Sequence, residues 1–480
     1  MGHAMPCPDP LMSHSVAPAT RSAQGAHRSH PAAACSRHAI VIGASMAGLL
    51  ATRVLSDHFA RVTLVERDAL PDAVLPRKGV PQGRHLHVLH TKGEEILNRL
   101  FSGLSGDLAA SGAARLNMPG DVIWFHLGGY SVRFRSALTS LAMSRPLLES
   151  HVRRRVLNLP NVTCRQGCDA VALHPSADRR RVVGIALRPA GGVEESIDAD
   201  LTVDATGRGS RSPAWLDSLG YRRPTETVVS IGYGYTTRLY RRDAASLPDA
   251  EAVFVQPTPP DDRRFGGLFP IEGNRWIVTM GGYRDHHAPA DEKGFLEHAR
   301  ELSAPDLYRV LSRAEPVSDF VVHGLPSNLR RHYERIDRFP EGYLIIGDAI
   351  CSFNPIYGQG MTVSALEAEV LDRMLTRHSA GPGNALARNY FTAVAKTIDN
   401  PWMIAAGEDF RYTNVSGRKP LGTDVINWYV SNVHRATHRD RQVTEAFIKV
   451  LMSVEAPTTL FHPRIALRVS RHALARSFSR

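Results

Sequence analysis

A short apolar stretch, His38 to Ile42, runs directly into Gly43-Ala44-Ser45-Met46-Ala47-Gly48. The segment after it, Leu49 to Asp57, carries apolar residues at helical spacing, and Arg61 to Glu66 (RVTLVE) is a second apolar strand ending on an acid. This order predicts a strand–turn–helix–strand unit of roughly 30 residues. Gly43 permits the tight turn, and Gly48 lets helix and strand pack closely. Backbone N–H groups at the helix start, over Ser45, Met46 and Ala47, suit a pyrophosphate. Ser45 stands where the usual pattern has its middle glycine and is small enough to keep the approach open. Glu66 strengthens the reading, because a carboxylate at that strand end accepts hydrogen bonds from ribose hydroxyls and would repel a 2′-phosphate. Arg67 follows it and is placed with it among the cofactor-binding residues. A plain strand–turn–helix with a surface glutamate is the alternative.

A second signal lies near the other end, where the strand GYLII leads into GDAICSFNPIYGQGMTVSALEA, beginning at Gly347-Asp348. An aspartate at a strand's C-terminal end can bind ribityl hydroxyls. Gly358, Gly360 and Met361 open a helix whose N–H groups and positive dipole end suit the anionic N1–C2=O edge of a reduced flavin. Pro355 stiffens the turn expected beneath the ring. Between these two signals stands LTVDATGRGSRS, Leu201 to Ser212.

With the three motifs in this order the chain resembles the class A flavoprotein monooxygenase superfamily, the fold of para-hydroxybenzoate hydroxylase. The resemblance runs from about His38 to beyond Pro401. It implies an α/β fold: a Rossmann-like FAD-binding domain of the glutathione-reductase type, a β-sheet substrate lobe and a helical C-terminal region. It implies FAD as cofactor and NADPH or NADH as electron donor. LTVDATGRGSRS resembles the family's middle fingerprint, which touches flavin and nicotinamide nucleotide; Asp204 and Gly207 fit its frame. Thr206 replaces the usual aspartate, which argues for a separate flavin reductase as partner. RKGVPQGRH (Arg77 to His85), VDATGRGS, PIEGNRWIVTMGG and FNPIYGQGM resemble the flavin epoxidases of bacterial polyether biosynthesis. By that resemblance Arg77 and Gln82 approach the cofactor, and Arg145 in SRPLLE reaches the flavin or its pyrophosphate, a task suited to bidentate arginine. Surface salt bridges are the alternative for each.

Around these motifs the chain divides as a disordered leader (1–36), a first FAD-binding part (37–219, with 116–144 inserted near the substrate lobe), a β-rich substrate lobe (220–339), a second FAD-binding part (340–400) and a helical region (401–480). The leader is rich in Pro, Ala, Ser and His and cannot bury enough surface to offset its ordering entropy. Strands are expected at 162–204 with breaks at Ala177–Arg179 and Gly191–Gly192, and at 227–239, 252–256 and 275–280; a helix is expected at 360–377. No run of about 18 apolar residues occurs, so no spanning helix is expected. Five scattered cysteines make no disulfide framework and fit a reducing cytoplasm. The net charge of +11 is dispersed and Arg-rich with no nucleic-acid motif, so nucleic acid is not expected. Cys164 with Cys168, and the His85, His87 and His90 series, lack the further ligands a metal site needs, so no metal is expected.

The resemblance implies transfer of one oxygen atom from O2, by a flavin C4a-hydroperoxide, to an alkene or electron-rich ring of a lipophilic small molecule. Such epoxidation needs no base, and no catalytic base is assigned; Tyr235 and Tyr283 read as core tyrosines. An alkene reductase of the geranylgeranyl reductase type and a non-catalytic lipid-escort protein on the same fold are the rivals; a halogenase is disfavoured by the lack of a W-x-W-x-I-P segment. Finally, Pro463 to Arg480 interleaves arginines with Ile465, Val469 and Ala473. It reads as a helix docked on its own core or as a weak anchor on an anionic membrane surface.

Overall fold

The structure is a computed structural model that describes residues 36–378 and 385–477. The expected leader, with Cys7 and Cys35, lies outside the described residues apart from its last position, as do Phe478 and Arg480.

Five parallel strands form the first sheet, in the order Tyr343–Ile345, Leu201–Asp204, His38–Ile42, Arg61–Glu66, Val162–Gln166. Every residue of the central strand His38–Ile42 is buried, as a sheet covered on both faces demands. The helices Met46–Ser56 and Gly360–His378 pack on each other beside this sheet. The first of them begins three residues earlier than expected, because Ser45 already has the extended backbone of an N-cap residue. Ile42 pairs with Asp204, and Asp204 with Ile345, so these strands end level with one another. Strand order reverses at His38–Ile42, and ligands of open parallel sheets bind where the order reverses, beyond the carboxyl ends.

The second large sheet has eight strands: Cys351–Ser352, Val321–His332, Thr225–Arg241, Arg275–Tyr283, Arg264–Ile271, Ala252–Val255, Val122–His126, Gly129–Tyr130. Val122–His126 pairs in parallel with Ala252–Val255, so residues from the 116–144 segment complete the lobe's sheet. At the other edge Cys351–Ser352 pairs with Val321–His332, which sets the turn after Ser352 between the two sheets. The strands Arg264–Ile271 and Val321–His332 were not expected; each lacks clean apolar alternation, since glycines, a proline and buried polar residues interrupt it.

The boundary expected at 400/401 falls inside one helix, Ala385–Asp409, which accommodates Pro401. Helices Thr423–Ala436, Arg441–Leu451 and Pro463–Ser477 follow. They share a core with the lobe, in which Trp124, Phe269 and Ile277 meet Val433, Phe447 and Leu460. No helix among the described residues is long and apolar enough to cross a membrane.

Candidate flavin and substrate site

The glycine turn meets its geometric demands. Gly43 has φ +101°, and a Cβ there would lie 2.7 Å from the Ala205 carbonyl oxygen. A Cβ on Gly48 would lie 1.7 Å from the Gly43 oxygen, so only hydrogen fits where helix and turn touch. Met46 and Ala47 form the helix's first turn, with Met46 buried in the core and the backbone N–H groups left at the helix mouth. Ser45 Oγ accepts from Arg145 Nη2 at 3.0 Å, which brings the arginine to the turn.

Glu66 is buried at the end of its strand. It accepts from Ala44 N at 2.8 Å and Asp68 N at 3.0 Å, and pairs with Arg77 Nη1 at 2.9 Å. Three of its roughly four acceptor positions are thereby used, leaving one for a ribose hydroxyl. Arg77 bridges Glu66 to Glu149, 2.8 Å from its Nε, and its buried Nη2 has no partner. Burial opposes the charge on Arg77, yet Glu149 and Glu66 hold its pKa above the ordinary value. Glu149 also accepts from Arg145 Nε at 3.2 Å. A single carboxylate thus orients both arginines, a role for Glu149 that no sequence motif signals. Gln82 is half-buried in the short turn Pro81–Arg84 beside Arg145, and Arg67 is exposed.

The middle motif requires a correction. Asp204 was expected to contact cofactor, but it is fully buried and its carboxylate is closed by the chain itself. Thr206 donates from N at 2.8 Å and from Oγ1 at 2.6 Å, Ser210 from Oγ at 2.5 Å, and the Ser212 hydroxyl as well. Asp204 therefore shapes the turn, with Thr206 as its ligand. Gly207, at φ +78°, faces the site instead: a Cβ there would lie 4.0 Å from Asp348 Cβ.

Gly347 has φ +72°, and any Cβ would meet Ala47 at 2.6 Å. Asp348 beside it is half-buried; burial raises its pKa, while Arg145 and Arg208 oppose that rise. Ser45, Arg145, Gly207 and Asp348, drawn from four distant segments, thus converge on one crevice. Beyond it, Pro355–Tyr357 forms a tight turn capped by Asn354, and Gly358 (φ +64°) passes the chain to the helix at Gly360. Nothing lies within 4 Å of a Cβ on Gly360, so the helix mouth opens onto free space, whereas Met361 packs inward. Beneath lie two buried acids that sequence reasoning missed. Glu367 accepts from Gly347 N, and burial lifts its carboxyl to about 8. Asp409 accepts from Tyr283 Oη at 2.6 Å, Asn328 Nδ2 at 2.6 Å and Asn354 Nδ2 at 2.9 Å, and burial lifts it to about 6. Tyr283 is thus a buried partner of Asp409. The only sequence signal for either acid was an ionisable residue on an otherwise apolar helix face.

A cavity enclosing about 820 Å³, its opening included, adjoins the turn Pro355–Gly358. Tyr233, Tyr235, Phe254, Phe265, Phe269 and Trp124 give its wall an aromatic character. His90 lines it beneath Gly358; burial lowers its pKa to about 4, so it is neutral. A second chamber of about 1050 Å³ shares Trp124, Gln256, Ile356, Tyr357 and Leu451 with the first and is walled by the C-terminal helices. Gln256 at the junction accepts from Trp124 Nε1 at 3.0 Å. His85 packs edge-on against Tyr235, and its pKa falls to about 3 through burial, then through His323 and His87. Among the described residues no group of three potential ligands could hold a metal ion.

This crevice fits FAD: Gly207 and Gly360 leave open space at its wall, cationic and anionic groups alternate along it, and the Arg77 Nη2 donor is left without a partner. The fold is of the class A flavin monooxygenase kind. The chain belongs to the family described as FAD binding domain, which it matches over residues 37–390. It is 39% identical over 398 residues to protein Rv3254 of Mycobacterium tuberculosis (strain ATCC 25618 / H37Rv), covering 80% of this chain and 82% of that one. To kynurenine 3-monooxygenase of Salinispora arenicola (strain CNS-205) it is 27% identical over 386 residues, covering 74% and 76%. Among solved structures, the flavin-dependent brominase Bmp2 superposes with a TM-score of 0.63 at 14% identity, over 92% of this chain and all of that one. The p-nitrophenol 4-monooxygenase PnpA of Pseudomonas putida DLL-E4 gives 0.60 at 15% identity, over 86% and 96%. Those two proteins share a fold and differ in reaction, so the fold alone does not select the chemistry.

Proposed function

We propose that the protein is an FAD-dependent monooxygenase that inserts one oxygen atom from O2 into a lipophilic, secondary-metabolite-like substrate, by epoxidation or hydroxylation. The observation that carries this reading is the aromatic cavity opening onto the turn Pro355–Gly358, within the flavin motif that begins at Gly347. When bound, FAD supplies the chemistry of moving electrons from reduced nicotinamide to O2 and oxygen to the substrate.

The residues here bind, orient and exclude water. The turn 43–48 holds the pyrophosphate with Arg145, Glu66 takes the adenosine ribose, and Asp348 takes the ribityl chain. The N–H groups at Gly358, Gly360 and Met361 stabilise negative charge on the ring. The cavity wall keeps the reacting face dry, which strengthens those interactions. His90, Gln256 and Thr279 are the polar side chains other than tyrosine in the inner chamber. None of these three is poised as a base near neutral pH, and this favours an alkene, which needs none, over a phenol.

Oxygen uptake by FAD-loaded protein with NADPH or NADH tests the reading, alone and with a flavin reductase. Because Thr206 serves Asp204, slow direct reduction and faster turnover with the reductase are expected. Alkene saturation without oxygen uptake would replace this reading with a reductase, and a purified protein that takes up no flavin would replace it with a lipid escort.

A further inference from the structure

The outer chamber contains one feature that an apolar wall does not require. Arg411, just beyond the helix Ala385–Asp409, lines it with its side chain 8% exposed. Its Nη2 donates to Asn427 O and pairs with Glu408 Oε1, each at 3.0 Å. Its Nε is buried without any hydrogen-bond partner. A buried guanidinium N–H without an acceptor is costly, and such groups in native proteins call for a ligand. Glu408 already balances the charge, so what is missing is a single oxygen acceptor. No acceptor among the described residues reaches this Nε: His126 and His434 bond to each other at 2.7 Å, and the Asn427 amide nitrogen donates to Gly407 O. The mouth of this chamber is apolar, with Met403, Ile426 and Phe461 between 37% and 49% exposed.

We infer that Arg411 anchors a carbonyl or carboxylate oxygen on a long apolar substrate that threads both chambers, leaving its remote end beside Pro355–Gly358. The inference rests on the inner chamber being the oxygenation site. It adds that the substrate enters under the C-terminal helices and is registered by one polar contact at its far end. Registration of this kind would fix which carbon atoms reach the flavin side.

Equilibrium dialysis of FAD-loaded enzyme against oleic acid, methyl oleate and 9-octadecene tests this. A hydrogen bond to a charged donor predicts that an acceptor-bearing probe binds about 10-fold or more tighter than the hydrocarbon. Preference for the acid over the ester identifies a carboxylate, and equal binding of acid and ester identifies a carbonyl oxygen. In Arg411→Lys, which keeps a cation for Glu408 but lacks the Nε–H, that preference should vanish while flavin content stays unchanged. Val430→Trp, which fills the outer chamber, should weaken all three probes without releasing flavin. Equal binding of the three probes to the unmodified enzyme, or an unchanged preference in Arg411→Lys, would overturn the assignment. Dialysis requires no turnover: an enzyme that binds the probes in this order but consumes no oxygen loses the monooxygenase reading and keeps the Arg411 contact.

Discussion

The cofactor crevice and the substrate cavity lie side by side but are specified by the chain in different ways. In the crevice, backbone geometry decides. Gly43, Gly48 and Gly347 are places where a Cβ would strike main chain or a neighbouring helix, and the charged residues Glu66, Arg77, Arg145 and Glu149 form one bonded chain. In the cavity, side-chain shape decides. Its wall comes from the strands of the lobe, the turn Pro355–Gly358 and the C-terminal helices, and volume-conserving apolar exchanges in such a wall cost the backbone little. One region imposes a rigid backbone demand, and the other a demand on side-chain shape.

The sharpest way to break this contrast is Gly48→Ala. The new methyl would have to displace the Gly43 carbonyl, 1.7 Å away. Flavin retention is expected to fall below detection, with several degrees lost from the melting temperature. A variant that purifies with a full complement of flavin would show that the turn is not the rigid element described. By contrast, Leu451→Trp at the junction of the two chambers should leave flavin content and melting temperature nearly unchanged and impair only substrate binding.

The next effect concerns the buried acid that supports the flavin-side turn. Glu367 titrates at about 8 in the folded protein against an ordinary value of 4.5. Between those values the native state keeps a proton that the unfolded chain has released. Stability therefore declines as pH rises from about 4.5 to about 8. Glu367→Gln can still accept from Gly347 N and removes the titration. The variant should match the parent below pH 4.5 and exceed it by on the order of a few kcal/mol above pH 8. Parallel stability curves for the two proteins across that range would show that this carboxyl is not held protonated.

Asp348→Ala comes third. A charge-assisted hydrogen bond is worth roughly 1.5–3 kcal/mol, so FAD affinity should fall about 10- to 100-fold. The readout is the flavin dissociation constant, and no change in it would remove Asp348 from the site.

The two regions also differ in how far the sequence displays them. The glycine turn, the acid at a strand end and the helix opened by glycines are local patterns, because each is a backbone solution within a few consecutive residues. Gly43, Glu66, Gly347 and Asp348 were nameable on that basis, and Arg145 only through the family resemblance. Asp204 was misread because its frame matches a contact residue, whereas Thr206, Ser210 and Ser212 close around it from the next turn. Glu149, Glu367, Asp409 and Arg411 carry no motif: Glu149 meets Arg77 and Asp409 meets Tyr283 from far along the chain, and Glu367 and Arg411 are set by Gly347 and Asn427, 20 and 16 residues away. Trp124 and Phe447 meet in the cavity wall across more than half the chain, and no periodicity encodes that meeting.

The smallest effect tests whether the second region extends to a surface beyond the protein. The helix Pro463–Ser477 buries Ile465 and Val469 against the C-terminal core, and Arg468 pairs with Asp440 at 2.9 Å. Docking on the protein's own core therefore accounts for one face. Leu467 and Leu474 remain 54% and 61% exposed on another, with Arg464 and Arg471 also on this helix. Such a face suits the headgroup region of an anionic bilayer, at about 1 kcal/mol of attraction for each arginine near the surface, and salt weakens it. Truncation after His462 would expose Ile465's and Val469's packing partners and so confuse docking with anchoring. The double variant Leu467→Ala/Leu474→Ala leaves that packing intact. It should reduce co-sedimentation with phosphatidylserine vesicles by a few-fold at low salt, with the remaining binding lost as ionic strength rises. If parent and variant co-sediment equally at low salt, the helix serves only to close the core that walls the outer chamber.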